Sequence, residues 1–265
     1  MPRENAAIAM SILDNYNISH SHRYEFQNTA QLKNFLERSY RAFEKGTSPQ
    51  FVGVGSIGVD SIQWIDKNRR ELPPMRLLYD EIQKCLVIKF ASKPHNVAFA
   101  EFRAMFEDAY RAKGVSRYDI VCMGPSRYRG SNGRHKEADE SFKPVTRSLD
   151  DKPSFVIEVG LSESLNQLRS DAFHWLAQKV LEIERWELRP DPFVRPDKVQ
   201  ALKLSMSTGT PQVTSIVGNS TSLNLPWNLI FDTAPVNPAT PLIGEFIIPP
   251  QDLQAFVRQY FRICR

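Results

Sequence analysis

Two carboxylates and one ammonium are the groups of this chain whose types and spacing could do chemistry together. Asp139 lies in "KEADESFKP", with Lys143 on the same short stretch, and Glu158 lies in the apolar run "SFVIEVGL". A carboxylate among Phe155, Val156, Ile157 and Val159 is costly to bury without a partner. One wet strand face, an arginine partner or a metal ion would each relieve that cost. A chain extended from Asp139 puts Ser141 and Lys143 on its face, by the two-residue strand period. A connection through Pro144 and Pro153 could then return a second strand that brings Glu158 alongside. Two carboxylates suit Mg²⁺ (or Mn²⁺), a hard cation that takes one or two protein oxygens and shares phosphate oxygens. Such an ion activates a bound water and polarises a phosphate, while a nearby lysine offsets the developing charge. The chemistry would be phosphodiester hydrolysis, with Asp139, Glu158 and Lys143 as catalytic residues.

The residues just before this stretch fit the same substrate. "SRYRGSNGRHK" offers Arg127, Arg129, Arg134 and Lys136, with Tyr128 among them, in a loop over 123–136 that could track a nucleic-acid backbone. A solvated loop balanced by "EADE" is the plainer alternative. His135 adjoins the acids and could act as a base. His20 and His22 lack a third ligand for a metal. Gly53, Gly55 and Gly58 spell GxGxxG, but the following "VDSIQW" alternates as a strand does, so no nucleotide cofactor is expected. Cys85, Cys122 and Cys264 show no CxxC spacing, which speaks against a disulfide framework or a zinc site and for a reducing compartment.

These groups need elements to hold them. "AQLKNFLERSYRAFEKG" reads as a helix with Leu32, Phe35, Leu36, Tyr40 and Phe43 on one face and Gly46 as its stop. "MRLLYDEIQKCLVIKF" reads as a hairpin of Arg76–Tyr79 and Cys85–Phe90. "PHNVAFAEFRAMFEDAYRAKG" reads as a long helix started by Pro94, striped by Phe102, Met105, Phe106 and Ala109, and stopped at Gly114. "YDIVCM" and "FVIEVG" are short strands. Ser164 and Gln167 make a capping box for the helix that follows, and "VLEIERWEL" is a strand. The order predicts an α/β chain around a mixed central sheet flanked by helices. From Leu188 to Pro250 the chain is proline-rich and reads as irregular, with a short helix at "QDLQAFVRQYF".

The pieces "RYRG", "KEADESFKP" and "PSFVIEVGLSESLNQLRSDAFHWL", in that order, resemble a family of fungal proteins with a restriction-endonuclease-like domain of the PD-(D/E)XK nuclease superfamily. The resemblance runs from about Arg76 to Leu188. It implies that Asp139 and Glu158 are the two metal carboxylates, with Asn96 and Arg169 in outer supporting places. The pattern also departs from the family: Gly160 stands where a lysine follows the glutamate, and His95-Asn96 stands where relatives carry His-Glu. A metal-dependent nuclease on DNA or RNA is one expectation, and a catalytically inactive nuclease-fold protein that binds nucleic acid or a protein is the other. The expected organisation is a loose arm over 1–27, the nuclease-like core over 28–188, and a proline-rich extension over 189–265.

Composition sets the frame. The 265 residues are ample for a core, and 42% hydrophobic with 24% charged content is ordinary for a globular protein. A net charge of +4 is compatible with a nucleic-acid partner. No secretory signal or membrane-length apolar run is seen, which predicts an intracellular protein of nucleus or cytoplasm with no membrane partner.

Overall fold

The computed structural model describes residues 11–130, 133–157, 180–189, 195–207, 210–233 and 244–263. Over these residues the protein is a mixed α/β chain with several sheets and six α-helices. It divides into two compact units, Met1–Ser92 with Pro125–Ala138, and Lys93–Gly124 with Asp139–Arg265. The chain therefore alternates between units, and the expected core over 28–188 contributes to both.

The first unit is built on a six-stranded sheet ordered β1-β2-β4-β3-β7-β6. Its strands are β1 (Arg23–Glu25), β2 (Phe51–Gly55), β3 (Met75–Asp80), β4 (Cys85–Phe90), β6 (Arg127–Arg129) and β7 (Arg134–Glu137). Helix α2 (Thr29–Glu44) crosses between the parallel strands β1 and β2. Asn28 caps it by accepting from the Gln31 amide at 2.9 Å, and Gly46, at φ 68°, ends it. Its stripe Leu32, Phe35 and Leu36 is buried against Val52, Val54, Leu86 and Ile88. Strand alternation turns Val87 to the opposite face, where Ile12, Leu13 and Ile18 cover it. Ile12 and Leu13 belong to helix α1 (Ile12–Asn15). The segment expected as a loose arm thus carries, from Ile12 onward, buried side chains and an edge strand.

Two further expectations change in this unit. Val59–Lys67 is helix α3, where alternation had suggested a strand. Ile62 and Ile65 are its only buried residues, so its apolar face is too narrow to announce a 3.6-residue period. Two of the glycines before it, Gly53 and Gly55, are small for packing reasons, while Gly58 has open space around it. A Cβ on Gly53 would meet Leu13 Cδ2 at 2.9 Å, and one on Gly55 would collide with the Glu25 carboxylate. An acid fills the place a phosphate would need. The basic stretch read as a loop is largely the antiparallel hairpin β6–β7, docked by β7 onto β3.

The second unit holds α4 (Lys93–Ala112) and the antiparallel strands β5 (Ile120–Cys122), β8 (Glu140–Pro144) and β9 (Phe155–Ile157), ordered β5-β8-β9. Phe106 of α4 meets Phe142 of β8 at 5.2 Å and Phe155 of β9 at 4.7 Å between ring centroids, in tilted and edge-on arrangements that fix helix on sheet. Among its described residues, the stretch expected to be irregular is mostly strand. β10 (Val180–Arg189), β11 (Arg195–Ser207) and β12 (Thr210–Val217) form an antiparallel sheet, and β13 (Leu223–Pro226) pairs with β14 (Glu245–Ile248). The prolines misled because of where they sit. Pro196 is at the start of β11 and Pro211 is on the edge strand β12, both places where a missing N–H is tolerated. Leu202 and Leu204 of β11 join a core with Leu253, Phe256, Val257 and Tyr260 of the closing helix α6 (Pro250–Ile263). Between β13 and β14 lies the one-turn helix α5 (Trp227–Ile230). Among the described residues no helix is long and apolar enough to cross a membrane.

Candidate functional site

The second unit positions Asp139 and Lys143, and the two side chains have different surroundings. Strand β8 lies between β5 and β9, and all five of its residues are buried. Its start is pinned to the segment that follows β5. The Met123 amide donates to the Ser141 carbonyl at 2.8 Å, and the Ser141 hydroxyl donates to the Gly124 carbonyl at 3.0 Å. Asp139, immediately before β8, is fully buried. Its Oδ2 lies 3.0 Å from Nε2 of His95, which is equally buried in the first turn of α4. The aromatic packing of α4 on β8 and β9 is what brings the helix start to this carboxylate. His95 Nδ1 in turn lies 3.3 Å from the exposed Asn96 Oδ1, so Asn96 reaches Asp139 only through the imidazole. The sequence pointed to Asn96 as the supporting residue, whereas the direct neighbour is His95.

Lys143 is buried too, with 1% of its surface exposed. Its Nζ donates to the carbonyls of Ser148 at 2.6 Å, Leu149 at 2.7 Å and Asp151 at 3.4 Å. The ammonium closes the turn after β8. Strand alternation places Lys143 on the face of Asp139, as expected, but its long stem carries the charge into backbone carbonyls.

Glu140 points to the other face of β8. Its Oε1 accepts the Ser141 amide at 3.0 Å, and Arg103 of α4 approaches its Oε2 at 3.6 Å. Cys122 on β5 stands beside it. Burial, reinforced by Glu140, pushes the Cys122 thiol above its ordinary range despite a hydrogen bond from the Gly124 amide and the charge of Arg103. It is therefore a poor nucleophile near neutral pH.

The basic hairpin lies wholly in the first unit, and its arginines are engaged there. Arg127 grips Asp66 with two bonds, 2.7 and 2.8 Å, and Glu137 with a third at 2.7 Å. Burial alone would weaken that charge, but Asp66 and Glu137 hold the guanidinium more firmly protonated than usual. Glu137 also pairs with Arg69 and accepts the Leu77 amide at 3.1 Å. Arg129 pairs with Glu81 at 3.0 Å, and His135 meets the same carboxylate at 3.2 Å. Arg134 pairs with the buried Asp80 at 3.0 Å. Lys136 is exposed on β7. Arg127, Arg129 and Arg134, expected to track a phosphate backbone, are each paired with an acid of the same unit. Those partners, Asp66, Asp80 and Glu81, lie far upstream in sequence and left no local signal.

Glu158 and Arg169 lie outside the described residues, as do Gly160 and the stretch read as the helix after them. What the description does give is the strand pair leading to Glu158. Ile157, the last described residue of β9, pairs with Glu140. A metal site can be tested only on what is placed. Asp139 supplies one oxygen donor, and His95 is a nitrogen donor that magnesium disfavours. Among the described residues no group of three or more His, Cys, Asp or Glu side chains gathers. These residues alone do not make a magnesium site. Comparison with protein-family models, curated proteins and solved structures finds no match to this chain.

Proposed function

We propose that the second unit carries a restriction-endonuclease-like core of the PD-(D/E)XK type and acts as a phosphodiester hydrolase on DNA or RNA, with Asp139 and Glu158 as its two carboxylates. One observation carries the reading. The order α4, β5, β8, β9 is a helix followed by three antiparallel strands, and its register sets Glu140, next in sequence to Asp139, opposite Ile157, next to Glu158. Two strands that each lead to a carboxylate are therefore neighbours, as this chemistry needs. His95 holds Asp139 in one orientation from the helix start. Mg²⁺ or Mn²⁺ is the cofactor this reading asks for, and it needs Glu158 as its second oxygen ligand. Bound there, the ion would supply an activated water and a polarised phosphate.

A second reading is favoured by Lys143. With its ammonium spent on three carbonyls and Gly160 in the usual lysine place, no lysine is assigned to the developing negative charge. Asp139, fully buried against His95, then has a structural task. On this reading the protein is a catalytically inactive nuclease fold that works by binding.

Calorimetry with Mg²⁺ and Mn²⁺, followed by cleavage of plasmid and single-stranded substrates, separates the two. Wild type is compared with the double variant Asp139→Ala, Glu158→Ala. Metal heat and cleavage that both vanish in the variant support the hydrolase. A folded wild type that neither takes up metal nor cuts leaves the binding reading.

A further inference from the structure

The first unit holds a cavity of about 490 Å³ between β1 and α2 that the reading above does not use. It is an open groove on the surface. Three kinds of group line it. Tyr24 is half-buried and stacks on the buried Phe35 at 5.2 Å with the rings 20° apart, so Tyr24 is the aromatic surface an incoming ligand meets. Gln31 and Asn34 contribute amides, which both donate and accept. Arg38 and Arg41 contribute guanidinium groups, and both are exposed. Along α2 these four positions follow one another at helical spacing, which sets the amides at one end of a line and the cations at the other.

The two arginines differ from Arg127 and Arg134 of the hairpin, whose acid partners are bidentate or buried. Arg38 makes no ion pair among the described residues. Arg41 touches Glu37, one helical turn before it, at 3.3 Å, with the arginine side chain 71% exposed. Exposed pairs of that kind are weak and are readily exchanged for a stronger anion. Glu37 also lines the cavity, so its carboxylate opposes an anionic ligand there.

An aromatic face, base-edge amides and two available cations in one line match the parts of a nucleotide: ring, ring edge and phosphate. An acidic peptide would use the cations but neither the stacking face nor the amides. We propose that the cavity between β1 and α2 is a binding site for single-stranded nucleic acid, with Tyr24 stacking a base and Arg38 and Arg41 contacting phosphates. The site stands on the first unit alone, so its fate and that of the hydrolase reading are decided separately.

The test is fluorescence anisotropy of a fluorescein-labelled oligothymidylate of about 12 nucleotides, within the span of known single-strand sites. The full chain is titrated across a series of salt concentrations. Wild type should bind. Arg38→Gln with Arg41→Gln should flatten the slope of log K against log salt by about 1.4, the value for two lost phosphate contacts on a single strand. Tyr24→Ala should weaken binding about tenfold by loss of stacking. Glu37→Gln should tighten binding, because it removes the opposing charge and releases Arg41. The arginine and glutamate variants leave the buried stripe of α2 intact, so the test stands even if Tyr24→Ala loosens β1. Three results would overturn the proposal: no binding by wild type, an unchanged slope in the arginine variant, or poly-glutamate displacing the oligonucleotide as well as unlabelled oligothymidylate does.

Discussion

Replacing Lys143 by methionine asks directly whether this ammonium is part of the fold or part of a reaction. The stem of methionine fills nearly the same space, so the change reports on the charge and its bonds. Two opposing effects are at work. Removing a buried ammonium relieves a desolvation cost of several kcal/mol. It also removes the Nζ bonds to Ser148 and Leu149, at 2.6 and 2.7 Å, and a weaker one to Asp151 at 3.4 Å. Hydrogen bonds to a charged group contribute about 1.5–3 kcal/mol each, net of what water would have offered. That scale already includes the desolvation, so the two short bonds together amount to about 3 kcal/mol. The residues that own the carbonyls are exposed, and water can recover part of their hydrogen bonding once the turn opens. A net loss of about 2 kcal/mol is expected, equivalent to about 4–8 °C in melting temperature for a chain of this size.

The assays are urea denaturation and thermal unfolding, with hydrogen exchange followed at the turn. The Ser148 amide, which now donates to the Asp151 carboxylate at 2.7 Å, should lose protection. A catalytic lysine gives the opposite pattern. Lysines held ready for a substrate carry unmet charge, so Lys143→Met would then leave stability unchanged or raise it while abolishing cleavage. A variant that melts at or above the wild-type temperature refutes the assignment of Lys143 to the turn and returns it to the reaction.

Two more outcomes follow from buried acids. Asp139→Asn or His95→Gln alone should cost about 1–3 kcal/mol in chemical denaturation, because each disturbs a buried polar contact, while the double replacement should cost clearly less than the sum; strict additivity would show that the 3.0 Å approach carries no coupling. Asp80 gives a pH signature. Burial tends to raise its pKa, but the Gln83 and Ile82 amides and the Arg134 guanidinium more than offset this, and the carboxyl sits below its ordinary value. A carboxyl depressed in the folded state stabilises above its unfolded pKa of about 3.9 and loses that contribution as pH falls through the folded value. Asp80→Asn should therefore be about 1 kcal/mol less stable than wild type at pH 7, and the gap should close in acid. A gap that persists at low pH would place the effect in packing.

What was legible in the sequence, and what was not, divides by the range of the interaction involved. α2 and α4 were readable because their apolar residues, Leu32-Phe35-Leu36 and Phe102-Met105-Phe106-Ala109, recur at helical spacing and pack on their cores, and their stops are glycines in the left-handed region, Gly46 and Gly114. The hairpin of β3 and β4 was readable from two apolar runs around a polar turn. α3 was not, because only Ile62 and Ile65 face the core. β11 and β12 were not, because Pro196 and Pro211 count as breakers until their places at a strand start and on an edge are known. At the site, alternation put Asp139, Ser141 and Lys143 on one face. It could not say where a four-carbon stem would deliver its charge, since backbone carbonyls carry no side-chain signature.

The same limit governs how positive charge is read. "SRYRGSNGRHK" looked like the cationic surface of this chain because four basic residues fall in eleven positions. Arg127, Arg129 and Arg134 turn out to be held by Asp66, Glu137, Glu81 and Asp80, three of which come from segments at least 48 residues away. Each bidentate or buried pairing there must be broken before a phosphate gains anything. Arg38 and Arg41 never stood out, since two arginines on a helix are unremarkable in a string. Arg41 pairs with Glu37, one turn away on an exposed surface, where the pairing is worth little. Density of basic residues measures how much charge a segment brings. Whether that charge can still recognise a partner depends on the acids that long-range folding places beside it, and by that measure the quieter helix has more to offer a nucleic acid than the louder hairpin.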